Sequence, residues 1–183
     1  MGAGNAKIRC QETDRDIVMP VTKGREEARA TDLPKRQAII AAQPCFANLA
    51  AEENTTLADL LREVTYSAGE LIVRETDPID SVYFIVSGNA DVRHVSYENG
   101  QPKITSVATL KEGGTIGLND RGFYSLTGRR TATVVANTDM LLLRLDLAVF
   151  HGFALVNPHV SRVMREHAAA MLRGAAFSDG GEP

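Results

Sequence analysis

The segment Gly128–Phe150 reads GRRTATVVANTDMLLLRLDLAVF, a strand pattern, a turn, a second strand pattern and the beginning of a helix in direct succession. Side chains alternate between the two faces of a strand. One face of the first strand is wholly apolar, with Ala132, Val134 and Ala136, and is predicted to point inward; Thr131, Thr133 and Val135 are predicted to point outward. By the same alternation Arg130 points inward and Arg129 outward. Because a buried guanidinium keeps its proton and is costly to remove from water without an anion, the sequence predicts that Arg130 meets an anion inside the fold.

Composition limits the class of protein. The chain has 183 residues, 44% of them hydrophobic and 23% charged, which suits one globular domain with a substantial core. A formal net charge of -3 argues against nucleic-acid binding. No apolar run approaches the roughly 20 residues that span a bilayer, and the N-terminus lacks a signal-peptide core. We therefore expect a soluble, cytoplasmic protein without a membrane span.

Residues that could carry catalysis or hold a metal are sparse. Cys10 and Cys45 are too few for a disulfide framework or a zinc site. A metal-binding β-barrel needs clustered histidines on its strands, whereas His94 alone falls among the predicted strands. The order of the strands favours no Ser-His-Asp or Cys-His constellation. The sequence thus predicts a protein that is not an enzyme and has neither a metal nor another cofactor.

The middle of the chain consists of short runs rich in β-branched and aromatic residues, divided by turn residues. Asn99-Gly100 signals a tight hairpin between two of these runs. From Leu147 onward the helical period returns. The pattern predicts a mainly β domain with flanking α: an antiparallel, jelly-roll-like β-roll with N-terminal helices and two C-terminal helices.

Changes of period divide the chain into segments. Before the strands, Leu57, Leu61 and Val64 recur at helical spacing, which extends a predicted helical lead-in to Tyr66. The first residues are polar and lack a period, which is typical of a flexible arm. The predicted segments are a flexible N-terminal arm (1–31), one domain (32–173) made of a helical lead-in (32–66), a β-roll (67–145) and hinge and lid helices (146–173), and a disordered tail (174–183).

Three segments of the sequence carry a resemblance to a known family. They are YSAGELIVRETDPIDSVYFIVSGNADV (66–92), EGGTIG (112–117) and the segment 128–150 quoted above. In this order they resemble the cyclic-nucleotide-binding domain, and the RRTA form is most similar to the branch of cyclic-nucleotide-gated and hyperpolarisation-activated channels. The resemblance extends from about Arg36 to Leu172. Because the chain ends shortly after Leu172, we expect a stand-alone roll.

The resemblance implies a phosphate-binding cassette, in which a glycine-rich loop and an arginine hold the cyclic phosphate. Arg130 would bind the phosphate, the Thr131 hydroxyl would contact phosphate or base, and Ala132 would admit the ligand close to the backbone. At Leu118 the family has a glutamate that accepts the ribose 2′-hydroxyl, so this position is degenerate unless a rearranged loop brings Asn119 or Asp120 into its place; a buried, unpaired hydroxyl costs about 1–3 kcal/mol. The implied ligand-binding residues are Gly117, Leu118, Asn119, Arg130, Thr131 and Ala132.

The resemblance also implies a function. The chain would be a soluble regulatory module that senses a cyclic nucleotide, cyclic AMP or cyclic GMP, and signals to a partner through its C-terminal helices. The hinge would be Leu147–Phe153 and the lid Pro158–Leu172. Met164 and Met171 are candidates for packing against a purine, with packing on the roll as the alternative.

A second interpretation of Arg130 leads to another function. The guanidinium would pair with an inward carboxylate, Asp91 or Asp80, and stabilise an empty roll. The chain would then be a degenerate, ligand-independent module for protein–protein interaction or assembly. Under either hypothesis the sequence predicts an unidentified protein partner or a homo-oligomer.

Overall fold

The structure, a computed structural model, describes residues 21–26, 30–99, 101–118, 128–166 and 169. In this part of the chain, two helices precede a long run of strands, and two more helices follow it. The elements in chain order are β1 (Arg25–Glu26), α1 (Leu33–Ala41), a 3-10 turn (Pro44–Phe46), α2 (Ala51–Leu60), β2 (Arg62–Tyr66), β3 (Leu71–Val73), β4 (Ser81–Ser87), β5 (Ala90–Glu98), β6 (Gln101–Leu110), β7 (Thr115–Ile116), β8 (Thr133–Ala136), β9 (Met140–Asp146), α3 (Leu147–Val156) and α4, helical at 158–166.

The strands form two sheets in which every pairing is antiparallel. The first sheet has the order β1-β2-β9-β4-β7 and the second the order β3-β8-β5-β6. Helices precede the roll and follow it. The predicted fold class, an antiparallel β-roll with flanking helices, is therefore confirmed.

Two apolar clusters hold the layers together. One lies between the first sheet and the helices and includes Phe46, whose ring centroid lies 6.5 Å from that of Phe84 and 6.0 Å from that of Phe150. The other lies between the two sheets and includes Ile72 and Val134. The roll is therefore fastened to its helices on one side and closed by its second sheet on the other.

The hairpin between β5 and β6 forms as predicted. Glu98 pairs with Gln101, and Asn99 adopts φ +52°, the left-handed conformation that this kind of turn requires. Farther along, the register shifts between the pairs Val92–Ala108 and Arg93–Ser106, which leaves one extra residue in β6. β6 is the outer strand of its sheet and carries this bulge in its middle.

The predicted outward face of β8 is wrong. All four residues of the strand are buried, including Thr133 and Val135, which the alternation had placed outside. The reason lies in the loop that follows β3. The amide of Glu75 in this loop donates a hydrogen bond of 3.0 Å to the Thr133 hydroxyl, so the loop covers the face that a simple two-layer roll would expose.

The predicted helical lead-in over 32–66 is also wrong at its end. The last helix before the roll stops at Leu60, and Arg62–Tyr66 is strand β2. Leu57 and Leu61 pack in the helix-side cluster, whereas Val64 packs between the sheets. The apparent helical spacing therefore joined residues of two elements that face different cores.

The N-terminal segment contacts the roll where the structure describes it, in contrast to the flexible arm predicted for 1–31. Arg25 pairs with Thr65 across β1 and β2, and the Thr22 amide donates to the carbonyl of Leu71 at 3.1 Å. Residues 1–20 and the predicted tail 174–183 lie outside the described residues.

A buried ion pair fixes the next part of this segment. Arg36 and Glu63, exposed by 1% and 0% at their side chains, approach to 2.8 Å. The Glu63 carboxylate also accepts hydrogen bonds from the amides of Ala30 and Thr31, at 2.8 and 2.7 Å. The buried Glu63 carboxylate is thus both paired with a cation and hydrogen-bonded.

Candidate functional site

Arg130 is held by its backbone before β8 begins. Its amide donates to the carbonyl of Asp77 at 2.8 Å, and its carbonyl accepts from the amide of Thr76 at 2.9 Å. The predicted orientations of the two adjacent arginines are confirmed: the Arg130 side chain is 4% exposed, whereas Arg129 is exposed and donates to the Thr76 carbonyl at 2.8 Å. The backbone contacts thus direct one guanidinium into the roll.

The Arg130 guanidinium is only partly satisfied. Its Nη2 donates to the Ser81 carbonyl at 2.8 Å and to Asp80 Oδ1 at 3.2 Å. Its Nη1 is buried and has no hydrogen-bond partner among the described residues. Burial lowers the pKa of Arg130 from its ordinary value, yet a guanidinium stays protonated at neutral pH. One N–H of a buried cation is therefore available to an anion.

Of the two carboxylates predicted as partners, the structure selects Asp80. Asp91 bonds instead to Arg93 Nε at 2.7 Å and accepts from the Ser106 hydroxyl. These two hydrogen bonds outweigh the opposing effect of burial and lower the pKa of Asp91. Asp80 is 69% exposed, so the carboxylate that neutralises Arg130 lies largely in water.

A cavity of about 180 Å³ lies beside Arg130. Of the predicted ligand-binding residues, the structure brings all but Asn119 to its wall; Asn119 lies outside the described residues. The rest of the wall is mostly apolar and was not predicted from the sequence: Val73, Ile79, Val92, Leu110, Thr115, Ile116, Arg129 and Val134. Its members come from five different strands and the loops beside them, so only the alternation within each strand could have indicated them.

Gly117 leaves the space that Arg130 needs. Its φ is +88°, and a β-carbon at this position would lie 2.7 Å from Arg130 Nη1. The loop after β7 therefore passes against the guanidinium without a side chain between them.

Leu118 faces two parts of the molecule. It lines the cavity and also packs against the helix-side cluster, which contains residues of α3 and α4. No described residue of the cavity wall carries a carboxylate. Leu118 is thus an apolar side chain that joins the cavity wall to the core.

Of the two predicted lid methionines, the structure places Met164 away from the cavity. Met164 packs against the helix-side cluster and is absent from the described wall, in agreement with the alternative that it packs on the roll. Met171 lies outside the described residues. α4 is joined to α2 instead, where His159 Nδ1 lies 2.7 Å from Glu53 Oε2.

Among the described residues, no three or more His, Cys, Asp or Glu side chains group closely enough to hold a metal ion. Within those ranges, none of the helices has the length and apolarity that crossing a membrane requires.

The sequence of this chain is similar to those of known proteins. The family model described as "Cyclic nucleotide-binding domain" matches residues 63–156. Among curated proteins, the chain is 30% identical to a cAMP-dependent protein kinase regulatory subunit of Blastocladiella emersonii, over 85% of this chain and 36% of that protein. It is 29% identical to a cyclic nucleotide-gated potassium channel of Mesorhizobium japonicum, over 84% of this chain and 39% of the channel. The chain spans little more than a third of the length of these two relatives.

Solved structures are also similar to this chain in fold. The N-terminal domain of a transcriptional regulator from Streptomyces coelicolor matches with a TM-score of 0.65 and 26% identity, over 79% of this chain and 96% of that one. The catabolite activator protein of Thermus thermophilus matches with a TM-score of 0.55 and 26% identity, over 74% and 61%. Kinase subunits, a channel and transcriptional regulators are all among the matches, so the predicted place in the channel branch stays a prediction.

Proposed function

Since this chain belongs to the cyclic nucleotide-binding domain family, we propose that it is a regulatory module, not an enzyme, that binds cyclic AMP or cyclic GMP in the cavity beside Arg130. The observation that carries the proposal is the free Nη1 of Arg130. A buried N–H on a cation, without a partner among the described residues, costs stability unless an anion completes it.

The cyclic phosphate is the part of the ligand that Arg130 would bind. A guanidinium donates charge-assisted hydrogen bonds to phosphate oxygens, and these are roughly twice as strong as neutral ones. Gly117 has no side chain, so a phosphate oxygen can approach both Nη1 and the loop backbone. Thr131 and Ala132, next in the chain, line the same cavity and would complete the contact.

The apolar wall would take the rest of the nucleotide. Val73, Val92 and Leu110 offer a surface for a purine ring rather than hydrogen bonds that distinguish one base from another. Leu118 would pack against the ribose and leave its 2′-hydroxyl unpaired. We therefore expect weaker binding than a carboxylate at this position would give, by roughly ten- to a hundredfold.

The signal would leave the site through Leu118. This side chain lines the cavity and packs against the cluster that contains Phe150 and Phe153 of α3 and Val160 of α4. A ligand that moves Leu118 thereby repacks the contact surface of both C-terminal helices. Close-packed cores transmit such shifts, because a displaced side chain leaves no room for its neighbours to stay in place.

A second candidate function rests on the Asp80 contact. Asp80 and the Ser81 carbonyl already hold Nη2, so the guanidinium has an internal anion. A roll whose arginine is satisfied in this way would act as a ligand-independent module that binds a protein partner.

Thermal unfolding separates the two functions. We expect a saturating cyclic nucleotide, at about a hundred times its Kd, to raise the Tm by about 5–10 °C. Arg130→Met should remove this shift, whereas Lys103→Met, which deletes an exposed charge on the β5–β6 hairpin, should preserve it. An unchanged Tm for the wild-type chain with both nucleotides would favour the ligand-independent module.

A further inference from the structure

A second cavity, of about 370 Å³, also touches Arg130. It shares Val73 and Arg130 with the first cavity and is otherwise lined by different residues. One wall comes from the N-terminal segment at Val21–Lys23, and the others come from the loop after β3 and from β4 and β9. Its volume falls within the range of about 300–1,000 Å³ that is usual for small-ligand sites.

The second cavity has more charged side chains in its wall than the first. Four basic side chains line the second cavity, Lys23, Arg74, Arg130 and Arg144, against two acidic ones, Asp77 and Asp80. The first cavity, whose wall is mostly apolar, has only two basic side chains, Arg129 and Arg130, and no acidic residue among its described members. The excess of two positive charges matches the charge of a dianion.

Arg144 has unused capacity at this site. Its Nη2 contacts Asp146 at 2.6 Å and Asp80 at 3.5 Å. Although burial opposes the charged form, Tyr83 and the two carboxylates raise the pKa of Arg144. Its Nε is buried and has no hydrogen-bond partner among the described residues. Arg130 Nη1 is likewise buried and has no hydrogen-bond partner among the described residues. Two arginines that line one cavity therefore each have an unused, buried N–H group.

The N-terminal wall is fixed in place, which makes the cavity a built feature of the fold. Both the amide and the hydroxyl of Thr22 donate to the carbonyl of Leu71, each at 3.1 Å. The Tyr66 hydroxyl donates to the Thr22 carbonyl at 3.4 Å. These bonds fix the backbone beside Lys23, which is exposed and lines the cavity together with the arginines of the roll.

We propose that this second cavity is an anion site that binds a small dianionic phosphate group, held by Lys23, Arg74 and Arg144. Guanidinium groups match the geometry of phosphate oxygens, and a lysine adds a point charge. Tyr83, which is buried and lines the cavity, is an additional hydrogen-bond donor. Apart from Val73 and Arg130, which line both cavities, the walls of this site do not belong to the first cavity.

Inorganic phosphate and glycerol phosphate are the two probes, compared with chloride at equal ionic strength and fixed pH. We expect either phosphate at millimolar concentration to raise the Tm of the full chain above its value in chloride. The probe with the lower Kd by titration calorimetry distinguishes a free phosphate from a phosphomonoester as the natural source.

Variants locate the bound phosphate. Lys23→Gln, an exposed change that leaves the arginines intact, should weaken phosphate binding by about three- to tenfold, and Arg144→Gln by about tenfold or more. Lys103→Gln, which removes an equal charge elsewhere, should have no effect. Thr131→Val, in the wall of the first cavity alone, should also leave phosphate binding unchanged.

Two results would overturn the proposal. One is an equal Tm in phosphate and chloride. The other is phosphate binding that Thr131→Val weakens and Lys23→Gln does not, which would place the anion in the first cavity. Because Lys23 is exposed, its variant keeps the test decisive even if Arg144→Gln fails to fold.

Discussion

Gly117 and Arg130 approach so closely that a β-carbon on the glycine would lie 2.7 Å from the guanidinium Nη1. Gly117→Ala therefore forces the arginine away from the position where a phosphate would meet it. We expect this variant to lose the Tm shift with cyclic nucleotide, as measured by differential scanning fluorimetry.

Gly113→Ala is the matched control for this change. Gly113 has a similar φ, +81°, but no atom within 4 Å of its would-be β-carbon. Both alanines carry the backbone strain of a positive φ, of order 1–3 kcal/mol. Loss of the ligand response in both variants would mean that strain, and not contact with Arg130, is responsible.

Arg130→Met should cost little stability in the absence of ligand. The methionine fills a similar volume, Asp80 remains hydrated at its exposed position, and the unused Nη1 disappears from the interior. The lost bond to the Ser81 carbonyl opposes these gains, so we expect the free energy of unfolding to change by about 1 kcal/mol or less. Urea unfolding measures it, and a loss of several kcal/mol would identify Arg130 as a structural residue.

Arg36→Met, by contrast, should destabilise the fold severely. The variant leaves the fully buried Glu63 carboxylate without its cationic partner. Breaking a buried ion pair from one side costs about 3–5 kcal/mol. Urea unfolding of Arg36→Met beside Arg62→Met, which breaks an exposed pair with Glu26, should show a large loss for the first variant and a small one for the second.

Glu63 should also contribute to the loss of stability in acid. Burial alone would raise the pKa of Glu63, but the amides of Ala30 and Thr31 and the Arg36 guanidinium outweigh it and lower that pKa below its ordinary value of 4.5. Between the two values the unfolded chain binds more protons than the native chain, so stability rises with pH. The contribution is present above pH 4.5 and is lost as the pH falls through the native pKa.

Glu63→Gln therefore should flatten the acid limb of a plot of unfolding free energy against pH. Glu26→Gln, at an exposed carboxylate, should leave that limb as in the wild type. Parallel acid limbs in the wild type and Glu63→Gln would contradict the lowered pKa.

The contact between Glu53 and His159 predicts a separable effect on two helices. Glu53 accepts from the Ala50 amide at 2.9 Å, which caps α2, and it also contacts His159 of α4 at 2.7 Å. His159→Ala should speed amide hydrogen exchange in α4 alone, whereas Glu53→Ala should speed it in both helices. Faster exchange in α2 of His159→Ala would show that the two effects are not separable.

The sequence was sufficient for features that depend on local pattern. Alternation within Gly128–Phe150 oriented Arg130, and the Asn-Gly pair located the β5–β6 turn. The sequence was insufficient where a helical pattern runs into a strand pattern. Leu57 and Val64 share a helical spacing although they pack in different cores, and only the pairing of β2 with β9, far along the chain, makes Arg62–Tyr66 a strand.

The partners of charged side chains were harder to predict for the same reason. From the sequence, Asp80 and Asp91 were equivalent candidates for the partner of Arg130. Strand pairing places Ser106 beside Asp91, which accepts a hydrogen bond from the Ser106 hydroxyl, whereas Asp80 contacts Arg130. Nothing local marks Arg144 or Lys23 as neighbours of Arg130, because they come from the last strand and the N-terminal segment. Long-range register, not composition, brings these cations to one place.

The extra residue in the middle of β6 matters to molecules that meet in concentrated solution. An outer strand offers unpaired amides and carbonyls to any neighbouring polypeptide, and a regular strand of this length would nucleate fibrous growth. The bulge between Ala108 and Ser106 interrupts that template, since no extended segment can stay in step with it on both sides. The bulge thereby protects the β6 edge of the second sheet against self-templated aggregation.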